Sequence, residues 1–143
     1  MNVLNLSNKT TIKEIREMAG RAMLDGPHKY NVQNLTGPLL DLAVSKAIGL
    51  KAVIHKVDNP TGDFYECCVL NGCGRLQYQY TPSRDWDYGG RLIEEHYISL
   101  IPEPVQNVWV SNISLSCVYT SPLPLEAAMR TLVAYKLGYT IEM

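Results

Sequence analysis

Two segments with helical periodicity flank a series of short β-type segments, and this order limits the possible folds. The first has Pro38 in its first turn and stops at Gly49, while the second begins at Pro124 and is closed by Gly138. Their apolar positions share one helix face each: Leu39, Leu40, Ala43, Val44 and Ala47 in the first, and Leu125, Ala128, Met129, Leu132 and Val133 in the second. The arrangement predicts an α+β domain in which a small, mostly antiparallel sheet packs with two main helices.

The β-type segments are short and are separated by turn residues. Residues 64–70 end at the turn dipeptide Asn71-Gly72, and residues 76–80 alternate between apolar and polar side chains. We therefore expect strands over 30–33, 51–57, 64–70, 76–80 and within 105–119, and a short helix over 91–97.

The first 28 residues form a segment of their own. Thr11 and Glu14 fit a capping box, an apolar stripe follows at helical spacing, and Asp25-Gly26-Pro27 ends it. The sequence thus predicts an N-terminal helical extension over 1–28 and an α+β domain over 29–143. This added helix would dock on its own domain or on a partner subunit.

Charge and cysteine content exclude several classes of function. With 13 basic and 14 acidic residues, the net charge of -1 argues against autonomous binding to nucleic acid through a broad basic surface. The chain has no apolar run long enough to span a membrane and no secretory signal pattern. The four cysteines do not suit a disulfide framework. Cys68 and Cys73 have the four-residue spacer of a zinc site, but only the isolated Cys117 and scattered histidines could complete it, so we expect reduced thiols, with no metal and no cofactor.

The stretch from Tyr80 to Arg91 has the composition of a ligand-binding loop. It combines aromatic rings, guanidinium groups and hydrogen-bonding side chains with two adjacent glycines that let backbone approach a ligand. The structural alternative is that Pro82 and the two glycines shape a turn, Trp86 fills the core and Asp85 caps the backbone. The candidate ligand-binding residues are Tyr80, Ser83, Arg84, Asp85, Trp86, Tyr88, Gly89, Gly90, Arg91 and, from the last helix, Arg130.

Arg130 also has two interpretations. Glu126 lies one helical turn earlier, so the two side chains could pair with each other. Alternatively, the guanidinium could bind a phosphate or carboxylate in bidentate fashion.

Catalytic patterns are weak in this chain. His28, His55 and His96 lie far apart, and none accompanies a recognisable nucleophile motif. The sequence therefore favours binding over catalysis.

Three motifs in the same order resemble those of the NinX-like family of phage proteins. They are residues 35–44 (LTGPLLDLAV), residues 80–86 (YTPSRDW) with Gly89-Gly90 and residues 92–94, and residues 124–130 (PLEAAMR) with residues 133–138. The resemblance covers roughly Lys29 to the C-terminus. Residues 1–28 precede the usual start of the family, Leu123 stands where the family often has Thr, and Arg84 and Tyr88 occupy variable positions.

The resemblance implies a phage or prophage protein in the cytoplasm of a bacterial host, and it implies no reaction, because the family is one of unknown function. Together with the aromatic and cationic loop, it predicts a non-catalytic accessory protein that sequesters a small anionic, nucleotide-like defence signal. We expect a homo-oligomer with the ligand pocket between subunits. The alternatives are a protein–protein inhibitor or adaptor acting on a host or phage factor, and an accessory factor in phage DNA metabolism.

Overall fold

The structure is a computed structural model that describes residues 28–143. The helical extension predicted over residues 1–28 therefore falls outside the described residues, apart from His28. The elements in chain order are β1 (Lys29–Asn31), a turn of 3-10 helix (Val32–Asn34), α1 (Gly37–Ala47), β2 (Ala52–Val57), β3 (Phe64–Leu70), β4 (Leu76–Gln79), α2 (Trp86–Glu95), β5 (Ser99–Glu103), β6 (Val108–Ser114), β7 (Cys117–Ser121), α3 (Pro124–Leu137) and β8 (Thr140–Glu142).

The strands form three small antiparallel sheets, with the orders β1-β8, β2-β3-β4 and β5-β6-β7. The α+β class and the antiparallel pairing are confirmed, while the single expected sheet is divided into three. The division arises because successive strands pair through short turns, and each helix interrupts this pairing. None of the described helices is long and apolar enough to cross a membrane.

Two strands have no counterpart in the sequence prediction. β5 contains Pro102, which removes a backbone donor and weakens the strand signal. β8 has three residues and pairs with β1, so it holds the two ends of the described chain side by side. The backbone N–H of His28 donates to the carbonyl of Met143 at 2.8 Å, which extends this contact by one more residue.

The core lies between the two main helices and the two three-stranded sheets. α1 packs against α3 and against β2 and β3, and α3 packs against β6 and β7. The predicted apolar face of α3 is buried at every position, and that of α1 at every position except the half-buried Ala47. The largest apolar side chains of this centre are Leu35, Leu39, Leu40, Val44, Met129, Leu132 and Val133.

A buried guanidinium connects α3 to two other parts of the chain. Arg130 Nη2 lies 2.7 Å from Glu126 Oε1, and the two side chains are only 3% and 7% exposed. Arg130 Nε donates to the carbonyl of Leu35 at 2.9 Å, and Nη1 donates to the carbonyl of Thr120 at 2.9 Å. The pairing interpretation of Arg130 is therefore confirmed.

The Glu126 carboxylate is satisfied at both oxygens. Its Oε2 accepts a hydrogen bond from Thr36 Oγ1 at 2.7 Å, and its Oε1 accepts one from Ser121 Oγ at 3.0 Å. Because Thr36 immediately precedes α1 and Ser121 ends β7, the carboxylate fixes α3 against both elements. An ion pair this deep in the protein is stable only when its remaining polar atoms are bonded in this way.

Replacing Arg130 with Met should be strongly destabilising, because it leaves the Glu126 carboxylate charged and buried. We expect the free energy of unfolding to fall by about 3–5 kcal/mol. Adding Glu126→Gln should restore part of the loss, since it removes the uncompensated charge. Denaturant unfolding of the single and double variants measures both effects.

Lys136→Met is the matched control, because Lys136 is an exposed cation on the same helix. It should change the free energy of unfolding by no more than about 0.5 kcal/mol. An Arg130→Met variant as stable as this control would contradict a structural role for the pair.

Candidate functional site

Helix α2 begins inside the predicted loop. The helix expected from Arg91 starts at Trp86 instead, and Asp85 is its N-cap: Asp85 Oδ1 accepts a hydrogen bond from the backbone N–H of Asp87 at 2.9 Å. The expected start was wrong because two glycines lower helix propensity in this stretch, whereas the acidic cap and the burial of Leu92 favour the helix. The expectation that Asp85 caps the backbone is confirmed.

Gly89 and Gly90 lie in the interior of α2, where they have different surroundings. A Cβ on Gly89 would overlap the carbonyl oxygen of Pro82 and lie 2.7 Å from Leu125 Cδ2. A Cβ on Gly90 would meet only Trp86 Cε3, at 3.6 Å, which is an ordinary contact. Gly89 therefore lets α2 approach the preceding loop and the first turn of α3, and the pair does not shape a turn.

The first turn of α2 presents an aromatic and cationic surface. Trp86 is 56% exposed, so the alternative in which it fills the core is wrong. Arg84 and Arg91 are also exposed. We call the group of Tyr78, Arg84, Trp86, Tyr88 and Arg91 the α2-start surface. Arg84, Trp86 and Arg91 are the exposed side chains among the predicted ligand-binding residues of this stretch. Tyr88 was also predicted and is half-buried, whereas Tyr78 is added from β4.

Three tyrosines form a ring cluster, which joins Tyr78 and Tyr88 of this surface to the buried Tyr80. The rings of Tyr80 and Tyr88 meet edge to face with centroids 4.9 Å apart, and those of Tyr78 and Tyr88 stack with centroids 6.3 Å apart. Tyr80 is buried, and burial raises the pKa of its hydroxyl. Tyr78 is partly exposed at the edge of the cluster. The buried Tyr80 ring therefore contacts two members of the α2-start surface, Tyr78 and Tyr88, from the protein interior.

Acidic side chains limit where this surface can hold an anion. Asp85 already accepts a hydrogen bond from a first-turn backbone amide of α2, and Asp87 adds a second carboxylate at the same end of the helix. Arg91 has Asp87 four residues before it and Glu95 four residues after it, at the spacing of helical ion pairs. Arg84 precedes the cap and lies outside the helix, so this helical spacing does not apply to it.

Arg130 is separate from this surface. Its guanidinium is buried in the core and bonded at all three nitrogens, as described above. Burial lowers the pKa of Arg130, and the charge of Glu126 opposes that shift. These contacts favour a structural role for Arg130, while its predicted contact with a ligand would require all of them to be given up.

A buried carboxyl group under the loop was missed by the sequence analysis. Asp41 of α1 is 0% exposed, and its Oδ1 accepts a hydrogen bond from the backbone N–H of Ser83 at 2.8 Å. Asp41 Oδ2 and Ser83 Oγ are buried without a hydrogen-bond partner among the described residues. Burial raises the pKa of Asp41 to about 7, against the opposing effect of the Ser83 hydrogen bond. The available signal was a carboxyl residue between Leu40 and Leu42, within the apolar stretch from Pro38 to Val44.

The three motifs meet in the folded protein. Thr36 of the first motif bonds Glu126 of the third, and Asp41 of the first bonds Ser83 of the second. Gly89 of the second motif lies against Leu125 of the third. The motifs therefore hold α1, α2 and α3 together, and we call these contacts the motif junction. The α2-start surface lies at this junction.

Ionisation of Asp41 should make stability depend on pH. Because the folded protein holds the Asp41 proton more tightly than the unfolded chain, the folded state binds more protons between about pH 4 and pH 7. The contribution of Asp41 is complete below this range and is lost as pH rises through it, by roughly 4 kcal/mol at most. Asp41→Asn cannot ionise at this position. The free energy of unfolding, measured with denaturant, should therefore differ less between pH 5 and pH 8 in this variant than in the unmodified protein. Equal differences would contradict the buried, protonated carboxyl.

Alanine should have opposite effects at the two adjacent glycines. Gly89→Ala forces a Cβ against backbone and should lower the free energy of unfolding by about 1–3 kcal/mol. Gly90→Ala meets no close atom and should raise it by up to about 1 kcal/mol through helix propensity. Thermal and denaturant unfolding measure both changes, and a stabilising Gly89→Ala would refute the close approach of α2 to Pro82.

Comparisons with known proteins identify the family of the chain. No curated protein matches the chain. A sequence profile of the family described as "Bacteriophage P22, NinX" matches residues 31–136, from β1 to the last turn of α3. The matched region contains every contact that joins the three motifs, and it covers well over half of the sequence. The chain therefore belongs to the NinX family of phage proteins.

Proposed function

We propose that this phage accessory protein acts by non-catalytic binding, and that the α2-start surface holds a small nucleotide-derived anion. The observation that carries the proposal is the 56% exposure of Trp86 at the first position of the capped helix α2. A Trp ring left in water forgoes part of its burial free energy, and its ring face stays available for stacking on a planar ligand.

The chemistry around Trp86 matches a planar base linked to phosphate. The indole face and the partly exposed Tyr78 ring offer stacking surfaces, and stacking of a base on an aromatic side chain contributes about 1–3 kcal/mol. Arg84 offers a planar donor fork for a phosphate. The acidic neighbours of Arg91 favour a compact anion held near Arg84 over an extended polyanion.

The rigid support of this surface suits sequestration. Trp86 and Tyr88 belong to one helix, which Asp85 caps and Gly89 packs closely on the motif junction. A preformed surface binds with little ordering cost, so it can lower the free concentration of a host defence signal in the bacterial cytoplasm without any reaction. A ligand shared between subunits, with residues 1–28 as the subunit contact, completes the proposal.

Titration calorimetry of the full chain against cyclic dinucleotides and ADP-ribose-derived signals tests this function. We expect saturable heat with one of these nucleotides, and at least a tenfold loss of affinity in Trp86→Ala and Arg84→Ala. Since both side chains are exposed, neither change should lower the melting temperature appreciably.

Tyr97→Ala provides the matched control, because Tyr97 is an 89% exposed aromatic just beyond the other end of α2. Its affinity should equal that of the unmodified protein. The proposal fails if no nucleotide gives saturable heat at protein concentrations about 100 times a micromolar dissociation constant.

A protein partner is the second candidate, favoured by the outer face of α2. This face carries Asp87, Glu94 and Glu95, all exposed, beside Trp86. Trp is enriched among residues that dominate binding energy at protein interfaces. Under this second function, nucleotides give no heat, while a basic host or phage protein forms a complex that Trp86→Ala and Glu94→Lys weaken and Tyr97→Ala does not.

A further inference from the structure

The register of the second sheet places three metal-ligand side chains on one face. His55 of β2 lies opposite Glu66 of β3, and Cys68 follows Glu66 by two residues, so all three side chains leave the sheet on the same side. The other side of this sheet carries the buried Ile54, Cys67 and Val69 and packs against α1. The ring cluster also lies on that inner side, because Tyr78 is opposite Val69. The three ligand side chains are therefore separated from the α2-start surface by the sheet.

Their ligand atoms are spaced as in a metal site. His55 Nδ1 lies 3.6 Å from Glu66 Oε1, and Cys68 Sγ lies 3.5 Å from the same oxygen. The three ligand atoms all lie within 4.8 Å of one another. Ligands bound tetrahedrally to zinc at 2.0–2.3 Å stand about 3.3–3.6 Å apart. An ion can thus be accommodated between them by small side-chain rotations.

A second observation is that one of the three ligand atoms has no hydrogen-bond partner among the described residues, and that another makes only a weak hydrogen bond. His55 Nδ1 is buried and makes no hydrogen bond there, since 3.6 Å to Glu66 is too long for one. Cys68 is only 5% exposed, and its thiol donates a weak hydrogen bond to Glu66. A buried ring nitrogen without a partner is costly, and a cation at the centre of the cluster would bind all three groups.

We propose that His55, Glu66 and Cys68 form a binding site for a zinc ion or a similar late first-row divalent cation. One nitrogen, one oxygen and one sulfur ligand match the preferences of zinc, whereas magnesium and calcium require oxygen ligands. Three protein ligands leave one tetrahedral position open for water or an exogenous ligand. The site goes beyond the sequence expectation of no metal, because ligands from two strands show no compact spacing along the chain.

The surroundings of the cluster support selective binding. Val53 lies opposite Cys68 on β2, and Phe64 shares the outer face two residues before Glu66. Gln79 lies opposite Cys68 on β4, where its amide can orient a water or ligand at the open position. A partly apolar border of this kind strengthens the interaction of a cation with its ligands by limiting access of water.

Cobalt titration of the full-length, chelator-treated protein tests the site, with Co²⁺ as the spectroscopic probe for zinc. The unmodified protein should bind one ion per chain and develop a thiolate-to-cobalt charge-transfer band that added Zn²⁺ abolishes. Cys68→Ser should lose the band, and His55→Gln should bind at least tenfold more weakly. His55→Gln also keeps the test valid if Cys68→Ser fails to fold, because the His55 side chain is 39% exposed.

Cys73→Ser is the matched control, since Cys73 is an exposed cysteine in the turn between β3 and β4. It should keep both the band and the affinity of the unmodified protein. The proposal is overturned if the unmodified protein shows no charge-transfer band. It is equally overturned if His55→Gln binds as tightly as the unmodified protein, or if Cys73→Ser removes the band.

Discussion

The buried pair of Glu126 and Arg130 is the interaction on which the rest of the structure depends. α3 is buried along an unbroken stretch from Leu125 to Ala134, so it has almost no solvent-facing side there. Charges inside such a helix are stable only because they bond the backbone before α1 and the end of β7. These bonds connect α3 to segments that are distant in sequence. The other helices and two of the sheets pack against α3.

The position of α2 follows from the position of α3. Gly89 brings α2 within contact of Leu125 at the start of α3, while Ser83, just before the helix, is held by Asp41 of α1. The motifs that identify the family are therefore mainly the contacts that hold three helices together. Trp86 differs from them, since it belongs to a motif and yet faces solvent. Trp86 and Arg84 are thus motif residues whose side chains face solvent instead of joining the helices.

The sequence predicts those elements whose signals are local. α1 and α3 have a proline in the first turn and a periodic apolar face, and β3 agrees residue for residue with the expected strand over 64–70. The start of α2 was hidden because its two glycines lie inside a helix instead of shaping a turn, and Gly89 is there for close packing. The Asp41–Ser83 contact and the His55–Glu66–Cys68 cluster depend on helix placement and strand register, and no local pattern determines either.

The pairing of β1 with β8 has a consequence for the path of the chain. His28 and Met143 exchange backbone hydrogen bonds, so the two ends of the described domain lie next to each other. A segment attached before residue 28 and one attached after residue 143 leave from the same spot on the surface. A short linker between these two residues would close the domain into a ring, which could be reopened in the exposed loop at residues 58–62 to give a circularly permuted protein with an unchanged core.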